Sequence, residues 1–252
     1  MYERCNDMKL RDPELLHMYA NADGAMVPSV THIINIKSKP ALVSMANAIG
    51  KYQNWDIKEF MGKKALLGTQ VHKLIELFLK NELEGYEVQE QYPGFVKQSM
   101  IRFNNFKKWF EMLEPELIES ELQLAGKEYG GTLDSIFKFK TGQVALIDFK
   151  TSRNFSDSHY IQLGGYLQLM KELRPDLYDR IDIAGILLVG DNKTFRGCKL
   201  KYFDKEHMQS YIEVFKNTYI LFKSWLPIAR DDWRIDIRDL GIYENEEAYI
   251  HD

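Results

Sequence analysis

The sequence predicts an α/β fold, a central mixed β-sheet flanked by helices and preceded by a helical N-terminal part. Three observations predict it. Apolar residues recur at helix spacing through 71–113. They give way to short alternating runs with glycine punctuation over 117–150. Helix spacing then returns on both sides of a near-continuous β-branched run at 181–189. The chain has 252 residues, 45% of them hydrophobic and 13% aromatic, which is enough for a sizeable core and too apolar for wholesale disorder. We expect one domain over 1–252, with a helical part at 27–115, an α/β core at 116–228 and an acidic tail at 229–252.

Taken in order, residues 1–27 read as irregular with short helical pieces. The stretch 40–80 is mostly helical in pattern, and Val71, Leu74, Ile75, Phe78 and Leu79 form its apolar face. The pattern repeats over 95–113 with Val96, Met100, Phe103, Phe106, Phe110 and Leu113, until Pro115 interrupts it. Strands follow over 117–150, two of them joined by Lys140-Thr141-Gly142, a three-residue hairpin loop with glycine where positive φ is needed. A helix at 158–173, a buried strand at 181–189, a partner strand at 195–202 and a long helix at 205–226 complete the order.

No apolar run reaches membrane-spanning length, and the N-terminus lacks the apolar stretch of a secretory signal. The expectation is a soluble, cytoplasmic protein with no membrane partner. Cys5 and Cys198 match no disulfide framework or metal pattern and read as reduced, incidental thiols. The net charge of −4 does not advertise a nucleic-acid partner. Its distribution is uneven: 231–252 holds eight acidic residues and two arginines, whereas 37–64 holds six lysines, among them Lys63 and Lys64, against Asp56 and Glu59. A local basic surface and an ordinary solvated face both fit that run.

The densest chemistry lies in the strands. Side chains alternate along a strand, so Asp148 and Lys150 share one face, while Ala145, Ile147 and Phe149 share the other, under a helix. A loop centred on Thr141 sets position 134 opposite 148, which makes Asp134 and Asp148 cross-strand neighbours roughly 5 Å apart at Cβ. Two carboxylates that close repel unless a proton or cation lies between them, and a hard divalent cation such as Mg²⁺ suits the gap. An adjacent lysine can orient a water and stabilise negative charge on a reacting phosphate. The alternative is an exposed Asp–Lys surface pair. Ile147 and Phe149 argue against it, because they imply a buried strand where unpaired charge is costly.

The runs GGTLD at 130–134, IDFKTS at 147–152 and HYIQLGGYLQL at 159–169 resemble the PD-(D/E)xK nuclease superfamily and, within it, the RecB-type exonuclease branch. That branch orders a helical histidine, G-x-x-D, (D/E)-x-K and Q-x-x-x-Y, and all four parts occur here in sequence over about 27–170, including the 27–31 segment VPSVT. The resemblance implies a restriction-endonuclease-like core. It implies that His72, Asp134, Asp148 and the Phe149 carbonyl hold Mg²⁺ or Mn²⁺, that Lys150 is the catalytic lysine, and that Gln162 and Tyr166 act beside it on the DNA backbone. His72 and Glu76 share one helix face, as do Gln162 and Tyr166. Gly164 and Gly165 lie between the latter pair and cost a helix about 1 kcal/mol each. Close helix–sheet packing and close approach of a DNA backbone both explain them. Arg153, Lys63 and Lys64 are candidate phosphate contacts.

A further carboxylate often precedes G-x-x-D in this superfamily. Glu119 and Glu121 are both candidates, and alternation makes them same-facing. Two cysteines cannot supply the four thiolates of the iron–sulfur cluster that some members carry, so no such cluster is expected. No helicase motor motif is visible, so any unwinding falls to a helicase, a single-strand annealing or binding protein, or a single-stranded substrate. The expected function is a metal-dependent DNA exonuclease of recombination or repair, of phage or prophage type. A structure-specific or restriction-type endonuclease and a catalytically inactive nucleic-acid-binding module are the alternatives.

Overall fold

The computed structural model describes residues 18–36, 50–51, 56–191 and 197–230, with side chains to 224. The acidic tail, Cys5, Lys37, Lys39, most of 40–55 and the start of the 195–202 strand lie outside the described residues.

A five-stranded mixed sheet carries the fold, in the order β3-β4-β5-β6-β7. Its strands are β3 (Glu116–Ala125), β4 (Gly130–Lys138), β5 (Val144–Lys150), β6 (Ile183–Val189) and β7 (Cys198–Asp204). β5 and β6 run parallel and the other neighbours antiparallel. A parallel neighbour requires a crossover, which α4 (Asp157–Leu173) and the one-turn α5 (Pro175–Tyr178) supply. Ahead of the sheet come β1 (Met18–Ala20), β2 (Met26–Pro28), α1 (Val30–Ile34), α2 (Ile57–Leu79) and α3 (Phe95–Leu113); α6 (Lys205–Arg230) follows it.

Helices cover both faces, and alternation along β5 sorts the core between them. Leu146 faces α1, α4 and α6, packed with Ile186, Leu163 and Phe215. Ala145, Ile147 and Phe149 face α2 and α3, packed with Val71, Ile75 and Phe106, as the strand pattern expects. Phe149 is 2% exposed and meets the rings of His72, Phe106 and Phe137. Burying such a ring stabilises by about 2–3 kcal/mol.

Helix starts follow capping chemistry. Asp56 Oδ1 accepts the Lys58 and Glu59 N–H groups at the head of α2, at 2.6 and 3.2 Å. The β4–β5 register runs Ser135↔Ile147 to Lys138↔Val144, centred on Thr141, with Gly142 at φ +88°. Both features match the sequence reading.

Other expectations are corrected. The described part of 1–27 is not helical: β1 and β2 form an antiparallel hairpin. Its turn, Asn21-Ala22-Asp23-Gly24, is held by Asn21 Oδ1, which accepts the Asp23 and Ala25 N–H groups, with Gly24 at φ +74°. Three-residue strands are too short to show a period. The β4–β5 ladder also ends at Ser135↔Ile147, one step before Asp134 and Asp148 would pair. The Asp134 carboxylate replaces the ladder there, its Oδ2 accepting the Phe149 N–H at 2.5 Å.

Gly164 and Gly165 face helices, so neither the sheet nor an open approach to DNA accounts for them. A Cβ on Gly164 would lie 2.3 Å from the Tyr211 carbonyl oxygen of α6, and one on Gly165 2.7 Å from Val30 of α1 and 2.8 Å from the Phe215 ring. Glycine is needed because α4 crosses its neighbours at backbone distance.

Candidate active site

The end of β4 and β5 gathers residues from four elements. His72, on α2 beside the stripe of Val71 and Ile75, brings Nδ1 to 3.5 Å from Asp134 Oδ1. Glu121 joins them: one donor atom each from His72, Glu121 and Asp134 falls within 4.8 Å of the other two. A nitrogen and two carboxylate oxygens so grouped fit a divalent cation such as Mn²⁺ or Mg²⁺. Asp148 stands beside this group and is held differently. Lys150 Nζ lies 2.6 Å from its Oδ2, an ion pair without good hydrogen-bond alignment, and among the described residues Oδ1 has no donor although Asp148 is 2% exposed. A buried carboxylate oxygen without a donor is costly, and a cation would satisfy it.

Only the backbone chooses between Glu119 and Glu121. Glu121 sits at φ +53°, a left-handed conformation that few non-glycine residues adopt. That turn breaks the expected same-facing alternation. Glu119 points toward Arg174 at the end of α4, at 3.9 Å, while Glu121 points toward α2 and a cavity of about 380 Å³ lined by Thr69, His72, Lys73 and Glu76. Local strain at a cluster of buried charge is where a functional constraint is expected.

The Q-x-x-x-Y pair lies on α4 against the same end of the sheet. Gln162 Nε2 donates to Tyr166 Oη at 2.7 Å and to Thr31 Oγ1 of α1 at 3.0 Å. The Tyr166 ring lies on Gly131, where an added Cβ would come within 2.7 Å of Cε1. The glycine of G-x-x-D is therefore the seat of the tyrosine of Q-x-x-x-Y. Tyr19 Oη, 3.0 Å from Thr132 Oγ1, ties the N-terminal hairpin to the same strand.

Of the expected phosphate contacts, Arg153 is exposed just beyond β5. Lys64 lies near it: burial and the charges of Arg102 and Arg153 hold its pKa below the usual lysine value. Lys63 instead pairs with Glu59 at 2.6 Å and leans on the Tyr92 ring. The sequence reading missed Thr31 as a partner of Gln162, and it missed His159. The latter had a signal, since it precedes Gln162 by three residues on one helix face.

Electrostatics mark the cluster as strained in the absence of a cation. Burial pushes Asp148 up to about 6, with Asp134 adding to it and Lys150 opposing. Burial and the Asp134 charge push Glu121 up to about 7. Burial disfavours charged His72, yet the Asp134 carboxylate outweighs it and raises the imidazole. Burial likewise opposes ionised Asp134, but His72, Lys150 and the Phe149 N–H hold it low. Groups raised on folding stabilise below their unfolded values and lose that contribution as pH rises through the folded ones. For Asp148 and Glu121 the loss falls between about pH 4 and pH 7 and for His72 above its ordinary value of 6.5, while the lowered Asp134 acts only in more acidic solution. His159, pushed down to about 4, works the other way and adds stability as pH rises to about 6.5, so the metal-free protein should lose thermal stability as pH rises from 6.5 to 8, which a melting series in chelator checks; a flat or rising Tm over that window contradicts these shifts.

No family profile and no curated protein matches the chain. Solved structures similar to it include the crystal structure of SSO0001, at 16% identity and TM-score 0.37 over 87% of this chain and 85% of that one. A phage-related exonuclease from Haemophilus somnus 129PT matches at 15% identity and TM-score 0.34 over 63% and 82%. An alkaline exonuclease from Laribacter hongkongensis matches at 8% identity and TM-score 0.37 over 81% and 93%.

Proposed function

We propose that this chain is a metal-dependent DNA exonuclease, a single catalytic domain hydrolysing phosphodiester bonds. The observation that carries the reading is the convergence of half-buried His72 and Glu121 on buried Asp134, beside the Asp148–Lys150 pair. A structural hairpin has no use for two carboxylates and a histidine around one point with a third carboxylate beside them, because the mutual repulsion of the carboxylates costs stability. His72, Glu121 and Asp134 would hold the ion, with Asp148 and the Phe149 carbonyl as further donors. When bound, the ion supplies charge neutralisation and Lewis-acid polarisation at the scissile phosphate.

The chain's own residues do the rest. Lys150 orients the attacking water and stabilises the negative charge that grows on the phosphoryl oxygens. Asp148 holds the Lys150 ammonium in place. Gln162 and Tyr166 align the strand against α4. Arg153 and Lys64, two cations near one another at the rim, draw in the polyanionic backbone. The choice of exonuclease follows the order of His72, Gly131–Asp134, Asp148–Lys150 and Gln162–Tyr166, which resembles the RecB-type branch. The same resemblance supports Mg²⁺ or Mn²⁺ as the ion, a setting in recombination or repair, a phage or prophage source, and a helicase or single-strand annealing protein as partner.

The test is digestion of end-labelled linear DNA and covalently closed circular DNA with Mg²⁺, Mn²⁺ or chelator. Linear DNA should shorten in either metal, circles should persist, and chelator should stop the reaction. Linearised circles would make the enzyme an endonuclease, and intact DNA in every arm would end the nuclease reading.

Two further results are expected. Binding a cation requires His72 and Glu121 to give up protons. The rise in Tm on adding Mn²⁺ should therefore be larger at pH 8 than at pH 6, and equal rises at both would count against these ligands. Glu121→Gln removes a repelled, half-buried charge. After discounting for partial exposure, it should stabilise the metal-free protein by about 1 kcal/mol at pH 8, while the Mn²⁺ concentration at half-maximal activity rises at least tenfold. A metal response like that of the unaltered chain would remove Glu121 from the site.

A further inference from the structure

Three side chains form a row on one face of α4, and the motif order accounts for only two. His159, Gln162 and Tyr166 fall at i, i+3 and i+7, the spacing of one helix face. His159 is half-buried in the first turn, at the end of the row nearest Lys150. Its ring is fixed: Nδ1 accepts the Ser156 N–H at 3.3 Å, completing a capping box with the Ser156 side chain. Accepting at Nδ1 places the ring proton on Nε2, so the ring donates away from the cap.

The cap alone does not explain a histidine. Glutamate and glutamine are the usual residues at this position of a capping box. Glutamate here would set another anion beside a phosphate-binding site. Histidine caps with one nitrogen and leaves a neutral donor on the other. Burial and the Lys150 ammonium push its pKa down to about 4, so the ring stays neutral at working pH and does not compete with Lys150 for charge.

We propose that the His159 Nε2–H donates to a non-bridging oxygen of a phosphate flanking the scissile one, extending the Gln162–Tyr166 row by one helical turn toward Lys150. This rests on the nuclease reading above and adds a contact that selects a strand running past Lys150 along the start of α4.

Substrates with a single methylphosphonate linkage, scanned through the positions on either side of the cleaved bond, test it together with His159→Ala, His159→Gln and His159→Glu. In the unaltered enzyme one flanking methylphosphonate should raise KM about tenfold or more, the loss of one hydrogen bond to a charged oxygen. His159→Ala should raise KM on unmodified DNA by a similar factor and abolish that position's methylphosphonate penalty. His159→Gln, which keeps both a cap and an N–H donor, should recover most of the loss; His159→Glu, which keeps the cap alone, should not. The inference is overturned if His159→Glu binds DNA like the unaltered enzyme, or if His159→Ala leaves every methylphosphonate penalty in place. Melting temperatures separate a lost cap from a lost contact, because the cap variants His159→Gln and His159→Glu should melt alike. An unaltered enzyme that cleaves no DNA in Mg²⁺ or Mn²⁺ overturns the nuclease reading and this inference together, whereas an active one confines failure to His159.

Discussion

Lys150→Ala is expected to lower the single-turnover rate of DNA hydrolysis by about 10²- to 10⁴-fold, the range for losing a group that moves protons or stabilises charge in the transition state. The loss should appear mainly in kcat, because Arg153, Lys64 and the α4 row would still bind the strand. The same change acts on stability. It leaves Asp148 buried without its counter-ion, and breaking a buried pair from one side costs about 3 kcal/mol. Losing Lys150, which opposes the effect of burial, raises the Asp148 pKa further, so protonation relieves the penalty as pH falls, and it should shrink at pH 5 and be largest at pH 8. Lys150→Arg should restore charge but little rate, since a planar guanidinium cannot take the ammonium's place 2.6 Å from Asp148. A Lys150→Ala protein that degrades end-labelled DNA at the unaltered rate would exclude the mechanism.

Gly164→Ala is expected to destabilise strongly, although alanine is the better helix former. The propensity gain is about 1 kcal/mol. Against it stands a methyl group 2.3 Å from the Tyr211 carbonyl oxygen and 2.5 Å from its carbonyl carbon. Both are backbone atoms of α6 and cannot rotate away, so α4 and α6 must separate across a core that includes Phe215 and Ile212. Overpacking of this kind costs about 3 kcal/mol or more, so the net change is a loss of about 2 kcal/mol or more and a Tm drop of roughly 5 °C. Gly62→Ala is the opposing control: among the described residues nothing lies within 4 Å of a Cβ added there on α2, so only the propensity gain applies and Tm should rise. A Gly164→Ala protein that melts normally but binds DNA poorly would favour a nucleic-acid contact over helix packing.

The candidate site was legible where its residues obey local rules. Register in a hairpin is set by its turn, so Lys140-Thr141-Gly142 was enough to align β4 with β5 to within one pair of Asp134 and Asp148. Alternation put Phe149 under α2 and left Lys150 with Asp148. What failed was local in position but tertiary in cause. Glu121 departs from alternation because its backbone turns to φ +53°, and no residue type in Glu121-Leu122-Gln123 announces that. Gly131 was legible only as the glycine of G-x-x-D, and in the fold it is the floor beneath Tyr166.

Beyond the N-terminal hairpin, the sequence by itself determined which described segments are helix or strand, which face of most of them is apolar, and which side chains can carry phosphate chemistry. Those properties depend on period, capping and turn residues, whose physics acts over a few neighbouring positions. The tertiary structure alone decided that β6 lies parallel beside β5 and that Glu121 rather than Glu119 meets His72 and Asp134. It also decided that α4 is glycine-bearing to admit α6 and α1. Each of these depends on contacts between residues far apart in the chain, where burial sets the cost of every unpaired charge and every added methyl group.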